Sequence, residues 1–392
     1  MTRRLVVVLA ALLCAALFPT HHVQASTARS RTVPVCKHAP NGRIGCFALR
    51  VDRLTVSGRV RHATAPIGYT PHDLQDAYAL PSATAGVGET IAIVDAYDDP
   101  NAEADLATYR QQFALPACTS RTGCLRVVDQ SGGRSLPAAD PGWAQEISLD
   151  LDMASAACPH CHLLLVEADS PSQANLGTAV KTAVALGADA VSNSYGGPDA
   201  KDRYYGRYYH HPGVAITAST GDSGYGVSYP ASSKWVTAVG GTTLRRSTRA
   251  RRGWSESAWA GSGSGCSTVN SAAWQDSGTT GCEGRAVADI AAVADPATGV
   301  AVFDSYDYEG TSGWLTFGGT SAASPIIAAA FALAGNAAEV ADGSYVWVHH
   351  TGAVNDVTSG SNGDCPTPRW CAAHYGWDGP TGWGTPNGVG AV

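Results

Sequence analysis

The residue of this chain best suited to act as a nucleophile is Ser321, which lies in the small-residue segment Gly318–Pro325. An apolar, helix-forming run from 326 to 335 follows, so Ser321 is predicted to lie at the start of a helix. Unpaired backbone N–H groups at a helix start stabilise negative charge that develops nearby. Taken alone, the same segment is equally typical of a Gly/Ser turn that caps a core helix.

Two carboxylates, Glu146 and Asp150, are the best candidates for proton transfer. They lie four residues apart in a segment, Trp143–Ala157, whose pattern predicts a helix, so both side chains project from the same face. In a partly buried site their repulsion raises one pKa and lets the pair share a proton, as acid/base catalysis requires. The alternative is a solvated acidic helix face, and we expect the neighbouring Asp152 to be such a surface acid.

A third acidic candidate, Asp222, follows the predicted strand Gly213–Thr217 in a turn rich in Gly and Ser. A carboxyl in such a turn can hydrogen-bond nearby backbone and simply shape the turn. At the carboxyl end of a buried strand it can equally serve as an active-site acid.

The elements that must position these residues alternate along the chain from Tyr69 onward. The predicted strands are Thr90–Val94, His162–Val166, Ala190–Ser192 and Gly213–Thr217. The predicted helices are Ala102–Phe113, Trp143–Ala157 and Leu176–Leu186. Continuous apolar strands between helices are typical of a parallel sheet covered on both faces. We therefore expect an α/β fold of three layers, with a mostly parallel central sheet that binds ligands at the carboxyl ends of its strands.

Together these motifs resemble the sedolisin family, the serine-carboxyl peptidases of subtilisin-like fold. The family's nucleophile motif, Gly-Gly-Thr-Ser with a proline four residues after the serine, is similar to Gly318–Pro325. Its Glu-x-x-x-Asp helix matches Glu146 and Asp150. Its Gly-Asp-Ser-Gly turn and the Tyr-Pro-Ala-Ser-Ser segment that follows match residues 221–224 and 229–233.

The resemblance implies a role for each of these residues. Ser321 attacks the scissile carbonyl, Glu146 takes and returns the proton, and Asp150 orients Glu146. Asp222 belongs to the oxyanion hole, where a carboxyl donates a hydrogen bond only while it is neutral. The implied activity is endopeptidase hydrolysis of polypeptides at acidic pH.

Ser194, Tyr195 and Gly196 resemble the family's substrate-binding strand, which pairs with an extended peptide through main-chain hydrogen bonds. A catalytically inactive subtilase-fold protein that only binds its partner is the alternative. A Ser-His-Asp triad is not expected, because none of the 12 histidines precedes a glycine and the His-Gly-Thr segment of such enzymes is therefore missing. We expect Asp95 and Asp98 to be strand-end or site-supporting acids.

The C-terminal region resembles the calcium site of the same family. The resemblance implies one structural Ca²⁺, held by the side chains of Asp356 and Asp378 and by the backbone carbonyls of Val357, His374 and Gly376. Carboxylate and carbonyl oxygens are the hard ligands that calcium prefers. The family usually has Gly where His374 stands, a change that a carbonyl ligand tolerates if the backbone angles do.

The N-terminal residues predict export. Residues 1–25 combine two arginines, an apolar run and a small-residue end, the pattern of a cleaved signal peptide. Residues 26–65 would then be a short propeptide or N-terminal arm, smaller than the family's usual prodomain, and 66–392 the peptidase domain. The net charge is -7, and the basic cluster at 245–252 is expected to be a solvated loop. We therefore expect a secreted monomer with polypeptide substrates, no nucleic-acid partner and no membrane partner.

Of the 11 cysteines, all except Cys14 form close sequence pairs that predict local disulfides in an oxidising compartment. The pairs are Cys36/Cys46, Cys118/Cys124, Cys158/Cys161, Cys266/Cys282 and Cys365/Cys371. With His162 after it, the third pair also has the C-x-x-C-H spacing of a c-type haem attachment site, a minor alternative.

Overall fold

A computed structural model describes residues 29–36, 44–55 and 58–392 of the chain. Its strands are β1 (Arg29–Pro34), β2 (Gly45–Cys46), β3 (Leu49–Leu54), β4 (Thr90–Ala96), β5 (Leu125–Asp129), β6 (His162–Ala168), β7 (Ala190–Asn193), β8 (Tyr195–Pro198), β9 (Ala215–Ser219), β10 (Ser228–Tyr229), β11 (Thr237–Arg246), β12 (Trp254–Ala258), β13 (Gly265–Cys266), β14 (Ala286–Val287), β15 (Ile290–Val293), β16 (Val300–Tyr308), β17 (Thr311–Gly318), β18 (Val354–Asn355) and β19 (Thr385–Pro386). Its α-helices are α1 (Pro71–Ala77), α2 (Ala102–Gln112), α3 (Pro141–Ala157), α4 (Gln173–Ala185), α5 (Asp202–Tyr205), α6 (Ser277–Thr280), α7 (Thr320–Ala334) and α8 (Tyr345–His349). The predicted signal peptide, residues 1–25, lies outside the described residues.

The central sheet has eight strands, in the order β12-β11-β9-β7-β4-β6-β5, with β15 also paired to β11. Every pair in it is parallel except β11 with β12. Successive strand residues point to opposite faces. Ile91 and Ile93 therefore pack in one hydrophobic cluster with α3 and α7, whereas Ala92 and Val94 pack in another with α4. The predicted fold class, a parallel sheet covered by helices on both faces, is confirmed.

Helix α3 crosses the interior of the molecule. Asp140 caps its first turn by accepting hydrogen bonds from the N–H groups of Gly142 and Trp143, and Pro141 fits the first helical position. All residues from 142 to 157 are buried. The expectation that Asp152 is a surface acid is therefore wrong: it is 1% exposed, and its carboxylate accepts a hydrogen bond from the Phe303 N–H at 2.9 Å.

Helix α7 begins after Gly319, whose φ of 93° lies in a region that favours glycine. Pro325 has no N–H to bond the Ser321 carbonyl one turn earlier. That carbonyl instead accepts a hydrogen bond from the Ser194 hydroxyl at 3.4 Å. The proline thus leaves the Ser321 carbonyl available, and the bond from Ser194 connects the start of α7 to the segment before β8.

The described part of the N-terminal arm lies on the domain that follows it. β1 pairs with β3, and β3 pairs with β17, in a four-stranded sheet that β16 completes. β2 pairs separately with β8. The division at residues 65 and 66 stays a prediction. Within the part of the chain that the structure describes, no helix is both long and apolar enough to cross a membrane.

The five predicted disulfides are confirmed. Cys158 and Cys161 bond to each other at the junction between α3 and β6. Both thiols are therefore consumed, and neither can form the thioether that haem attachment requires. The haem alternative is not supported.

Candidate active site

Ser321 is the second residue of α7 and is fully buried. Its hydroxyl donates to the Ser194 carbonyl at 3.1 Å, and its Oγ accepts a hydrogen bond from the Phe47 N–H at 3.1 Å. The Ser321 N–H, at the open end of the helix, points to the Phe47 carbonyl oxygen at 3.4 Å. The hydroxyl therefore lies where a helix terminus and an extended backbone meet.

Glu146 and Asp150 are both fully buried on α3. None of their four carboxyl oxygens has a hydrogen-bond partner within normal geometry. Burial, followed by the charges of Asp150 and Asp95, raises the pKa of Glu146 well above its usual value, and the nearby Ser321 hydroxyl acts in the opposite direction. Burial and then Asp95 likewise raise the pKa of Asp150, whereas Ser194 and Glu146 lower it. The two carboxyls thus form a buried pair that holds protons at unusually high pH.

Asp95 joins this pair from the central sheet. It lies in β4, is fully buried, and has no hydrogen-bond partner for either oxygen. Burial raises its pKa to about 8. Asp98, three residues on, is less buried, and its pKa is raised mainly by desolvation. The sequence pointed to Asp95 through its place at a strand end, but its proximity to Glu146 depends on how α3 packs against the sheet.

Asp222 reaches the start of α7 from the turn after β9. Its Oδ1 accepts hydrogen bonds from the Thr320 N–H at 2.7 Å and the Thr320 hydroxyl at 3.0 Å. Its Oδ2 is buried without a partner, although the residue as a whole is partly exposed. Burial raises the pKa of Asp222 to about 7, against the two bonds from Thr320. A protonated Oδ2 would be a free donor directed at this site.

Ser194 lies beside Ser321, with which it forms two hydrogen bonds, and Tyr195 and Gly196 follow it in the chain. Tyr195 is fully buried and donates from its hydroxyl to Asn193 at 2.7 Å. Gly196 and Tyr195 present their backbone to β2 of the N-terminal arm, in antiparallel register with Gly45 and Cys46.

Hydrogen bonds connect four of the five predicted calcium-site residues in two pairs. The Asp356 carboxylate accepts from the Gly376 N–H at 3.0 Å, and the Asp378 carboxylate accepts from the His374 N–H at 3.2 Å. Asp378 is fully buried, and burial, together with the charge of Asp356, raises its pKa to about 8. No salt bridge among the described residues involves either aspartate. Two carboxylates close enough to repel each other are suitable ligands for a hard cation. Val357, the residue after Asp356, is buried.

The arrangement of a helix-start serine, buried carboxyls and a parallel sheet defines a site of the subtilase type. The sequence pattern of the Subtilase family (Peptidase_S8) matches residues 144–357. The chain belongs to this family, and its relatives place it among the sedolisins. The predicted family is therefore confirmed.

Three relatives are informative. Kumamolisin of Bacillus sp. (strain MN-32) is 32% identical over 368 residues, which cover 83% of this chain and 63% of that protein. Sedolisin of Pseudomonas sp. (strain 101) is 28% identical over 384 residues, which cover 86% and 62% respectively. The solved structure of Pseudomonas sedolisin, a serine-carboxyl proteinase complexed with two molecules of pseudo-iodotyrostatin, matches with a TM-score of 0.68 and 25% identity, over 82% of this chain and 96% of that chain. This chain thus spans less than two thirds of the length of the first two relatives.

The presence of Phe47 and its neighbours at Ser321 was not predicted from the sequence. The only signal in the sequence was the cysteine pair Cys36/Cys46, which predicted a local loop but not where that loop lies. The contact of Thr320, whose N–H and hydroxyl hold Asp222 in place, was also not predicted.

Proposed function

We propose that this protein is a secreted serine-carboxyl endopeptidase that cleaves polypeptides at acidic pH through an acyl-enzyme on Ser321. The observation that carries the proposal is the placement of the Ser321 hydroxyl between a buried carboxyl pair and a carboxyl with an unpartnered oxygen. A hydroxyl is a weak nucleophile unless a base takes its proton. Glu146, oriented by Asp150, is the base in this proposal.

The electrostatics explain how such a site works without histidine. Asp95, Glu146 and Asp150 share protons because burial and mutual repulsion oppose full ionisation. When these three carboxyls hold one proton fewer, Glu146 can be ionised and act as a base. The proton that it takes from Ser321 is later delivered to the leaving amine. The oxyanion is stabilised by the Ser321 N–H and by protonated Asp222.

Acidic conditions follow from Asp222. A carboxyl donates a hydrogen bond only while protonated, and the pKa of Asp222 is raised to about 7 by burial. Below that pH the donor is present, and above it the ionised carboxylate repels the developing negative charge. Activity should therefore be lost as pH rises through about 7.

Two further parts belong to the proposal. We assign one structural Ca²⁺ to Asp356 and Asp378, with backbone carbonyls of Val357, His374 and Gly376 as additional ligands. Five disulfides are typical of an exported protein, because thiols stay reduced in the cytosol.

Replacing the nucleophile tests the function. Ser321→Ala should lower kcat by about three orders of magnitude or more, because a nucleophile and its base act as a unit. The measurement is cleavage of a mixed peptide library from pH 3 to pH 8 by both proteins. Equal cleavage by the variant would refute the mechanism, and no cleavage by the wild-type protein at any pH would favour the inactive binding protein instead.

A further inference from the structure

A segment of the chain itself lies across the candidate active site. The Phe47 N–H donates to the Ser194 carbonyl at 3.2 Å and to Ser321 Oγ at 3.1 Å. The Phe47 carbonyl oxygen faces the Ser321 N–H at 3.4 Å. This residue therefore uses both of its backbone polar groups to bind the nucleophile and its surroundings.

On both sides of Phe47 the segment is held as an extended strand. Before it, Gly45 and Cys46 pair in antiparallel register with Gly196 and Tyr195. After it, Leu49 and Arg50 pair in antiparallel register with Gly318 and Phe317 of β17. Strand addition of this kind is how extended peptides bind to an exposed sheet edge.

Buried polar contacts fix the position of the segment after Phe47. The Arg50 side chain is fully buried, bonds Asp52 at 2.7 Å and donates to Gln145 Oε1 at 2.9 Å. Gln145 directly precedes Glu146 on α3. A slip of the segment by one residue would leave the buried guanidinium of Arg50 without these partners, which is strongly unfavourable.

The Phe47 carbonyl oxygen lies near both the start of α7 and Asp222 Oδ2. A Cβ placed on Gly319 would lie within 3.0 Å of both the Phe47 carbonyl oxygen and Asp222 Oδ2. Gly319 thus leaves room for these two oxygens to approach the start of α7 together. Because Asp222 Oδ2 is unpartnered, its protonated form can donate to that carbonyl.

The Phe47 ring fills a pocket built around glycines. A Cβ on Gly196 would lie 2.7 Å from Cε2 of the ring, and one on Gly221 would lie 3.6 Å from its Cζ. Ser228 Oγ lies beside both glycines. A side chain at position 196 would therefore clash with a large ring in the pocket. It would still leave room there for an occupant with a small side chain.

The arm also covers the base. One carboxylate oxygen of Glu146 lies within 4.8 Å of the Sγ atoms of Cys36 and Cys46. This disulfide directly precedes Phe47, so the segment excludes water from Glu146 while it fills the pocket. Ile44, two residues before Cys46, lines a cavity together with Tyr97, Ser170 and Tyr205.

We infer that this site selects peptides with a large aromatic side chain on the acyl side of the scissile bond, that Gly196 sets this preference, and that the bond between Phe47 and Ala48 is the chain's own first substrate. The inference rests on the proposed peptidase function and specifies its substrate class. Until the segment departs, it blocks other peptides.

The chemistry of the self-cleavage balances without a further reactant except water. The Ser321 hydroxyl turns from the Ser194 carbonyl to Glu146, gives up its proton, and its oxygen bonds to the Phe47 carbonyl carbon. The C–N bond to Ala48 breaks, and the amine leaves with the proton from Glu146. Water then cleaves the ester, adding OH to Phe47 and returning a proton to Ser321 through Glu146.

Mapping the N-terminus tests the bond. The wild-type chain, incubated at acidic pH, should yield a product that begins at Ala48, identified by intact mass and N-terminal sequencing. Ser321→Ala should remain uncut, Phe47→Tyr should be cut as the wild type is, and Phe47→Asp should lose the cut by at least about tenfold in rate. Melting curves establish that each variant is folded.

A pair of peptides tests the pocket separately. Both have the sequence of residues 44–50 with serine in place of Cys46, and one has alanine in place of Phe47. We expect the Phe peptide to have a kcat/KM at least about tenfold higher. Gly196→Ala should reduce this ratio about tenfold or more, whereas Gly226→Ala should preserve it, because a Cβ at Gly226 meets nothing closer than 3.9 Å.

The outcomes separate the two proposals. Cleavage of library peptides without a preference for Phe, and with Phe47–Ala48 intact, would overturn the inference and leave the peptidase function standing. Cleavage of Phe47–Ala48 that persists in Ser321→Ala would also overturn it. If the wild-type chain cuts neither itself nor any peptide, the proposed function itself fails.

Discussion

At the scale of single residues, the unusual member of this site is Asp222. Most oxyanion donors are N–H groups or amides that carry no titratable proton. Here one carboxyl oxygen is fixed by Thr320 and the other is buried and free. In the proposed mechanism, the protonation state of Asp222 therefore decides whether it stabilises or repels the developing negative charge.

Replacing Asp222 by Asn isolates this effect. The amide keeps a donor of similar shape that cannot ionise, so the loss of activity that the wild type should show as pH rises through about 7 should shrink or disappear. We expect the variant to be slower at acidic pH, because an amide donates less strongly than a carboxylic acid. The measurement is kcat/KM against pH for both proteins. Alkaline limbs of the same position and steepness would remove Asp222 from the oxyanion hole.

At the scale of elements, the strands and helices predicted from apolar periodicity are observed. The helix expected at Ala102–Phe113 is observed at Ala102–Gln112, and the catalytic candidates lie on the helix and strand ends where their motifs indicated. Burial of Asp152 and docking of residues 44–50 were not predictable in the same way. Both depend on packing between segments far apart in the chain, which local pattern does not record.

The C-terminal loop that contains Asp356 and Asp378 is the element whose order should depend on a cation. An ion that binds only the folded loop stabilises it by linkage. Excess chelator should therefore lower the melting temperature of the wild-type protein, and Asp356→Ala should lower it in calcium and remove the response to chelator. Ser321→Ala serves as the common background, so that self-cleavage does not contribute. A melting curve that chelator leaves unchanged would exclude the calcium site.

At the scale of the whole molecule, the interior contains many carboxyls, and not only at the active site. Asp99, Asp105 and Asp304 form a buried cluster between α2, α3 and β16, in which carboxylate oxygens lie within 4.8 Å of one another. Burial raises the pKa of Asp99 to about 7 and that of Asp304 to about 8. Burial likewise raises the pKa of Glu167, to about 9.

These shifts predict a protein that is most stable in acid. A buried acid with a raised pKa binds more protons in the folded state than in the unfolded state, whose aspartates titrate near 4. The stability that this contributes is fully present below about pH 4 and is lost as pH rises through the folded pKa values, between about 7 and 9 for these groups. The free energy of unfolding should therefore decrease from pH 4 to pH 8, the reverse of a protein held together by ionised aspartates.

Melting of Ser321→Ala across this range measures the decrease. Adding Asp304→Asn should make it shallower, because the amide needs no proton, whereas the exposed Asp307→Asn, three residues along, should not. Stability that rises over this range, or an identical slope in both double variants, would contradict the assignment of this cluster.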